Sequence, residues 1–282
     1  MIDAVCTYGG TRKTYNIIVF QKLPDSDIER YRRFLECPNP RCSAEAYYKR
    51  ASVDGKSACF GSRYHIAGCH EGRSSPQQER EVRHAQEVNK VLADSSTVIF
   101  DFLPPPPKKA SSTTRTILAK GNTTNFNKTK SYSQKANRTR KPILDMEKAL
   151  NSLMRGSDLA ESDILIEIDK GYSYRAKNLF VHFTNVTPAD TLKEARPKMF
   201  WGTISHPDAE MDWLNPSDCD DVGIPIQKHK NKILKRFKIR EKRDLEGAAV
   251  ILFGKCFWNA KKTRKIIELW DSNRVFISIF ED

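Results

Sequence analysis

The sequence predicts an α+β fold, with a small cysteine-rich module ahead of a mainly β domain. Three observations carry this. Four of the seven cysteines fall between residues 37 and 69. A stretch from 104 to 142 opens on four prolines and continues in Ser, Thr, Asn and Lys. Beyond it, short runs rich in Val, Ile, Phe and Trp follow one another, separated by turn residues.

The first segment, 1–103, opens with a strand over Tyr15–Phe20 and a short helix between Asp25 and Glu36, whose Ile28, Tyr31 and Phe34/Leu35 share one face. A hairpin turning at Asp54-Gly55 follows within the cysteine region. Ser75-Pro76-Gln77-Gln78 starts a helix: Ser75 caps, Pro76 suits the first turn and Gln78 closes a capping box. Val82, Ala85, Val88, Val91 and Leu92 keep helical spacing, and Thr97–Phe100 adds a strand. Residues 104–142 have too few apolar anchors to offset the entropy of ordering them, and read as a basic disordered linker. The second domain, 143–282, begins with a helix near Leu144–Arg155 that stops at Gly156. Strands are expected at Asp163–Ile168, Ser173–Val186, Lys198–His206, Val222–His229, Ile233–Ile239, Ala248–Trp258, Lys265–Trp270 and Arg274–Phe280, with a short helix from Thr187-Pro188. So many short strands with one inserted helix suggest a small β-barrel, the oligonucleotide-binding (OB) barrel first among them.

The formal charge is +13 over 282 residues, which points to a polyanionic partner. Ten Lys/Arg and no Asp/Glu lie between Pro104 and Pro142, leaving +3 for the rest. No apolar run approaches the roughly 18–20 residues of a membrane span. The opening Met-Ile-Asp-Ala-Val-Cys has neither a basic start nor an apolar signal core, so a cytoplasmic location is expected. In that compartment clustered cysteines mean metal more often than disulfides. The Asn-x-Thr triplets at Asn122, Asn127, Asn137 and Asn185 then reflect composition.

Cys37 and Cys42 are spaced C-x4-C; Cys59 and Cys69 complete a four-thiol set, with His65 as the alternative to Cys59. Zinc takes four soft or borderline ligands as two short-range pairs, and Pro38 and Pro40 stiffen the first loop. The stretch Ala44-x-Ala-Tyr-Tyr-Lys-Arg followed by Ala58-Cys-Phe-Gly-Ser-Arg-Tyr-His-Ile-Ala-Gly-Cys69 resembles the zinc module of competence-associated CoiA-like proteins. There a cysteine pair precedes an aromatic hairpin and a His/Cys pair; here the first pair is spaced x4 where x2 is usual. The resemblance implies metal binding within residues 37–69. Glu45 and Glu71 stand in no spacing known for a catalytic base, so structural zinc is expected.

Lys228 to Arg243 contains nine Lys/Arg and one Glu. Read as strand, Lys228, Lys230 and Lys232 share a face, as do Lys238 and Arg240, with Lys235 and Arg236 between them. Lys261, Lys262 and Arg264 form a second cluster beside Trp258. Cations tracking phosphates beside an aromatic that stacks on bases suit single-stranded nucleic acid. Phosphate-loop, dinucleotide, nucleophile-elbow and zinc-protease motifs are all missing. A non-catalytic nucleic-acid-binding accessory protein is the expectation. A protein-docking adaptor of a bacterial defence or mobile-element complex is the first alternative, and a metal-dependent nuclease on Asp163, Glu167, Asp169 and Lys170 the second.

Overall fold

The computed structural model describes residues 1–53, 55–72, 76–102, 141–169, 171–217 and 219–279. The expected linker lies outside the described residues except for its last two, as do Asp54 of the hairpin turn and the Ser75 cap. Helix makes up 29% and strand 33%, which is the expected α+β composition.

The N-terminal module is a five-stranded sheet of β1 (Asp3–Cys6), β2 (Lys13–Asn16), β3 (Leu35–Glu36), β4 (Glu45–Lys49) and β5 (Cys59–Gly61), ordered β2-β1-β3-β4-β5 and antiparallel throughout. The strand expected over Tyr15–Phe20 breaks at Asn16, whose side chain caps Ile18 N–H at 3.0 Å and starts the helical turn α1 (Ile17–Phe20). Helix α2 (Asp25–Tyr31) is shorter than expected, because Leu35 and Glu36 turn into β3. Phe20, Tyr48 and Phe60 pack together beneath this sheet.

Helix α3 (Pro76–Asp94) and strand β6 (Thr97–Asp101) follow. Then come β7 (Ile143–Asp145), α4 (Met146–Met154), β8 (Leu165–Ile168) and β9 (Tyr172–Arg175). Asp145 caps α4 by accepting from Lys148 N–H, and Gly156 past its end takes φ +67°, the left-handed stop expected of it. A division at residue 103 does not separate two packing units. β6 lies between β7 and β8, parallel to both, and α3 packs on α4. The apolar stripe of α3 and the Val98/Phe100 face of β6 therefore share one core with Leu144, Leu150 and Ile166.

The chain continues through α5 (Ala176–Leu179), β10 (Phe180–His182), β11 (Pro197–Pro207), β12 (Trp213–Pro216), β13 (Val222–Pro225), α6 (Lys230–Arg236), α7 (Lys242–Leu245), β14 (Ala249–Trp258), β15 (Lys265–Leu269) and β16 (Val275–Ser278). Because β11 pairs with both β12 and β14, the strands close in the circuit β11-β12-β13-β15-β14-β11. Counted in chain order this is 1-2-3-5-4-1, with the third and fifth strands parallel and a helical insertion between the third and fourth. That closed five-stranded arrangement is OB-like, as expected. Successive residues of β11 and β14 alternate between two cores. Phe200, Val250 and Leu252 fill the barrel, while Met199, Ile251 and Phe253 face α4 and the β6–β8 sheet.

Two strand expectations and one helix expectation fail. Ile233–Ile239 lies in and just after α6, because Ile233, Leu234 and Phe237 form one helical face that packs against the barrel core. The Lys/Arg residues among them are good helix formers, so their alternation marks no strand. Ser173–Val186 divides into β9, α5 and β10. The Thr187-Pro188 segment is extended rather than helical at first and bridges Ala189 to Phe257 before a turn. Strand β12 was not foreseen, since Trp213-Leu-Asn-Pro216 lacks alternation and ends in proline.

Candidate metal centre and barrel face

Cys37, Cys42, His65 and Cys69 converge so that their ligand atoms all lie within 4.8 Å of one another. Local backbone geometry assembles them. Asn39 accepts from Arg41 N–H on its side chain and from Cys42 and Ser43 N–H on its carbonyl, curling the Cys-Pro-Asn-Pro loop so that both thiols face inward. Cys37 N–H bonds Ala44 O at 2.7 Å, closing that loop. Gly68, at φ +77°, provides the turn that sets Cys69 beside His65. Cys37 Sγ and Cys69 Sγ stand 3.8 Å apart, Cys42 Sγ is 3.5 Å from His65 Nδ1, and Asn39 Nδ2 donates to Cys69 Sγ at 3.5 Å.

The electrostatics divide the ligand set: without a cation burial holds Cys37 as the thiol, while Cys69 and His65 shift toward their ligating forms. Burial pushes the Cys37 thiol up to about 12, whereas Cys69 is drawn down, against its own burial, by the N–H of Glu71 and the neighbouring thiols. Burial also lowers His65, which favours the neutral imidazole that ligates metals. The four-thiol set is corrected at one position. Cys59 pairs across from Lys49 on β5 and lines a cavity of about 470 Å³ beside the site, and His65 takes its place in the cluster. Sequence spacing alone left the choice open because Cys59 and His65 both precede Cys69 by a short interval.

On the barrel, the outer face of β12 and β13 is crossed by Arg264. Its Nη2 donates to Asn215 Oδ1 at 2.6 Å and to Val222 O at 3.3 Å, and its guanidinium lies 5.3 Å from the Trp213 ring centre. Gly223 makes room for it: a Cβ there would stand 2.7 Å from Arg264 Nε. Asn259 ties the loop before β15 by accepting from Thr263 and Arg264 N–H, leaving Lys261 and Lys262 exposed at its tip.

The other expected cations are not a strand track. Lys228 pairs with Glu268 at 2.8 Å and Lys230 with Asp212 at 2.6 Å. Arg236 donates to Ser272 O. Lys232, Lys235, Lys238 and Arg240 are exposed on or beside α6, around the residues that close one end of the barrel. Trp258 is half-buried at the end of β14. Phe200 is barrel core, Phe237 packs on that core, and Trp201 is edge-on to His182, so none of the three is placed to stack on a base.

The nuclease set is not gathered either. Asp163 pairs with Arg175 and Lys177, Glu167 with Lys141, and Asp169 with Arg274, while Lys170 lies outside the described residues. Cys256, a conceivable nucleophile by residue type, is buried in the barrel core, and burial pushes its thiol up to about 12. Trp213, on this barrel face beside Arg264, was not singled out from the sequence, and no local signal marks it. Among the described residues no helix is long and apolar enough to cross a membrane. The chain matches no family of known proteins, no curated protein and no solved structure.

Proposed function

We propose that this chain is a nucleic-acid-binding accessory protein whose barrel takes single strands and whose N-terminal module is organised by zinc. One observation carries the reading: an arginine lies across the second and third barrel strands, beside an aromatic ring, with two exposed lysines on the adjoining loop. In OB barrels this strand pair and the loop between the fourth and fifth strands form the ligand face. Guanidinium and ammonium groups hold phosphates there while the tryptophan face offers a surface for a base.

Three thiolates and an imidazole are a donor set that zinc fills tetrahedrally. Cys37, Cys42, His65 and Cys69 would supply all four positions and leave none open for a reacting water, so the metal's role is to hold the loops together. The CoiA-like resemblance of residues 37–69 agrees with such a role.

The test is fluorescence anisotropy on the full chain with a labelled oligothymidylate. Wild type should bind, with affinity falling on added salt by a log–log slope of roughly −0.7 per phosphate contact. The triple variant K261E/K262E/R264E should weaken binding to every sequence tried, because backbone contacts carry no base information. Unchanged binding by that variant at physiological salt would remove the barrel face from the account.

A further inference from the structure

The loop cations are not the whole of the positive charge on this face. Arg33 follows α2 in the N-terminal module, next to the fully buried Arg32, and reaches over to the barrel, where its Nη1 donates to Asp220 O at 3.3 Å. Arg264 donates to Val222 O, two residues further along the same segment. Arg33 and Arg264 thus hang from one stretch of chain within each other's electrostatic reach. Burial, and then the charge of Arg264, push the Arg33 guanidinium below its ordinary value, with Glu29, Asp220 and Cys219 opposing less strongly.

Among the described residues these two arginines have no direct counter-ion. Lys228, Lys230, Lys262 and Lys265 each hold a carboxylate, from Glu268, Asp212, Asp190 and Asp221 respectively. Arg33 and Arg264 donate only to neutral oxygens and form no ion pair among the described residues. Two half-buried like charges side by side repel, and an anion between them relieves the repulsion while using the planar donor forks that suit phosphate.

We propose that Arg33 and Arg264 form a two-guanidinium clamp for one phosphodiester of a bound single strand, so that the metal-organised module itself completes the ligand face of the barrel. This rests on the nucleic-acid reading above and adds to it a second module, a residue and a ligand atom. Arg33 is fixed through its neighbour. Arg32 donates to Ser205 O at 3.1 Å and pairs with Glu246 at 2.9 Å, anchoring the end of α2 on the barrel.

The experiment compares full-length wild type, R33Q, R33K, R264Q and R33Q/R264Q by anisotropy with labelled oligothymidylate across a salt series. Each Gln variant should bind roughly ten-fold or more weakly, the loss of a charge-assisted contact. The salt slope should become shallower by about 0.7. The double variant should lose less than the product of the two single losses, because both arginines serve one phosphate. R33K should recover the slope but not the full affinity, since a lysine is a point charge without the fork. R33Q should melt as wild type does and keep its metal, separating a ligand contact from a folding defect. If R33Q binds with wild-type affinity and slope while K261E/K262E fails to bind, the loop holds the strand without Arg33 and the clamp is wrong, though the barrel reading survives. If wild type binds no oligonucleotide, both fall. Inorganic phosphate at matched ionic strength should displace the strand no better than chloride. Phosphate binding to wild type and not to R33Q, with no oligonucleotide bound, would overturn the strand assignment in favour of a small-anion site.

Discussion

Arg32 has no exposed surface, and its two terminal nitrogens meet Tyr48 O, Ser205 O, Glu29 and Glu246, while Nε has no hydrogen-bond partner among the described residues. Breaking a buried pair strands the partner charge, so Arg32→Ala should cost about 3–5 kcal/mol in urea unfolding. His206 extends the same network, donating from Nε2 to Glu29 while Nδ1 meets the Ser205 hydroxyl. Burial, aided by Arg32 and Arg33 nearby, depresses His206 to about 4; against its burial, the His206 bond and Arg32 hold Glu29 down to about 2. Both groups are depressed in the folded state, so their contribution is complete above about pH 6.5 and is lost as pH falls through 4 and then towards 2. Thermal melts between pH 7 and 4 should decline, and His206→Gln should flatten the upper part of that decline relative to wild type. At the metal centre, Cys59→Ser should keep one ion per chain by elemental analysis, whereas Cys42→Ser or His65→Ala should lose it. Metal retained by the His65 variant and lost with Cys59 would restore the four-thiol set.

Among the elements, β14 shows what was legible in the sequence and why. Its continuous apolar run is buried on both faces, against the barrel interior and against α4, so composition alone marked a central strand. The end of helix α4 was readable from Gly156, a local signal, whereas the Asp145 cap at its start emerged only from the structure. Helix α6 was not, because a lysine-rich segment with two or three apolar residues fits either period until the barrel end that it closes is known. Likewise β12 and the pairing of β6 with β7 depend on partners far away in sequence. One contact between elements can be tested sharply. Gly247, just before β14, has φ +75°, and the Tyr47 ring of β4 occupies the place of its missing Cβ. Gly247→Ala should destabilise by about 1–3 kcal/mol through the strained backbone and the displaced ring. Wild-type stability in a urea titration would show that the module and barrel do not meet there as described.

For the whole molecule, the cysteine-rich module, the α3/α4 layer and the barrel form a continuous body, joined by arginines that reach between them. Arg32 and Arg50 bind Glu246, Arg63 donates to Gly247 O and Ser278 O, and Arg155 shares Glu81 with Arg63. Charge composition pointed to a polyanionic partner but could not say which cations were already neutralised, since that depends on folded neighbours such as Glu268 and Asp212. Pairing removes only Lys228 and Lys230; it is the placing of Arg264 and Trp213 across the second and third barrel strands that moves the proposed interface from the lysine-rich segment to the barrel face. Photocrosslinking a single strand carrying 5-iodouracil to the full chain, with mass-spectrometric mapping of the adducts, tests that placement directly. The account predicts adducts at Trp213 and on the loop from Asn259 to Arg264. Adducts confined to residues 104–142 would contradict it, showing that the basic stretch, and not the barrel, meets nucleic acid.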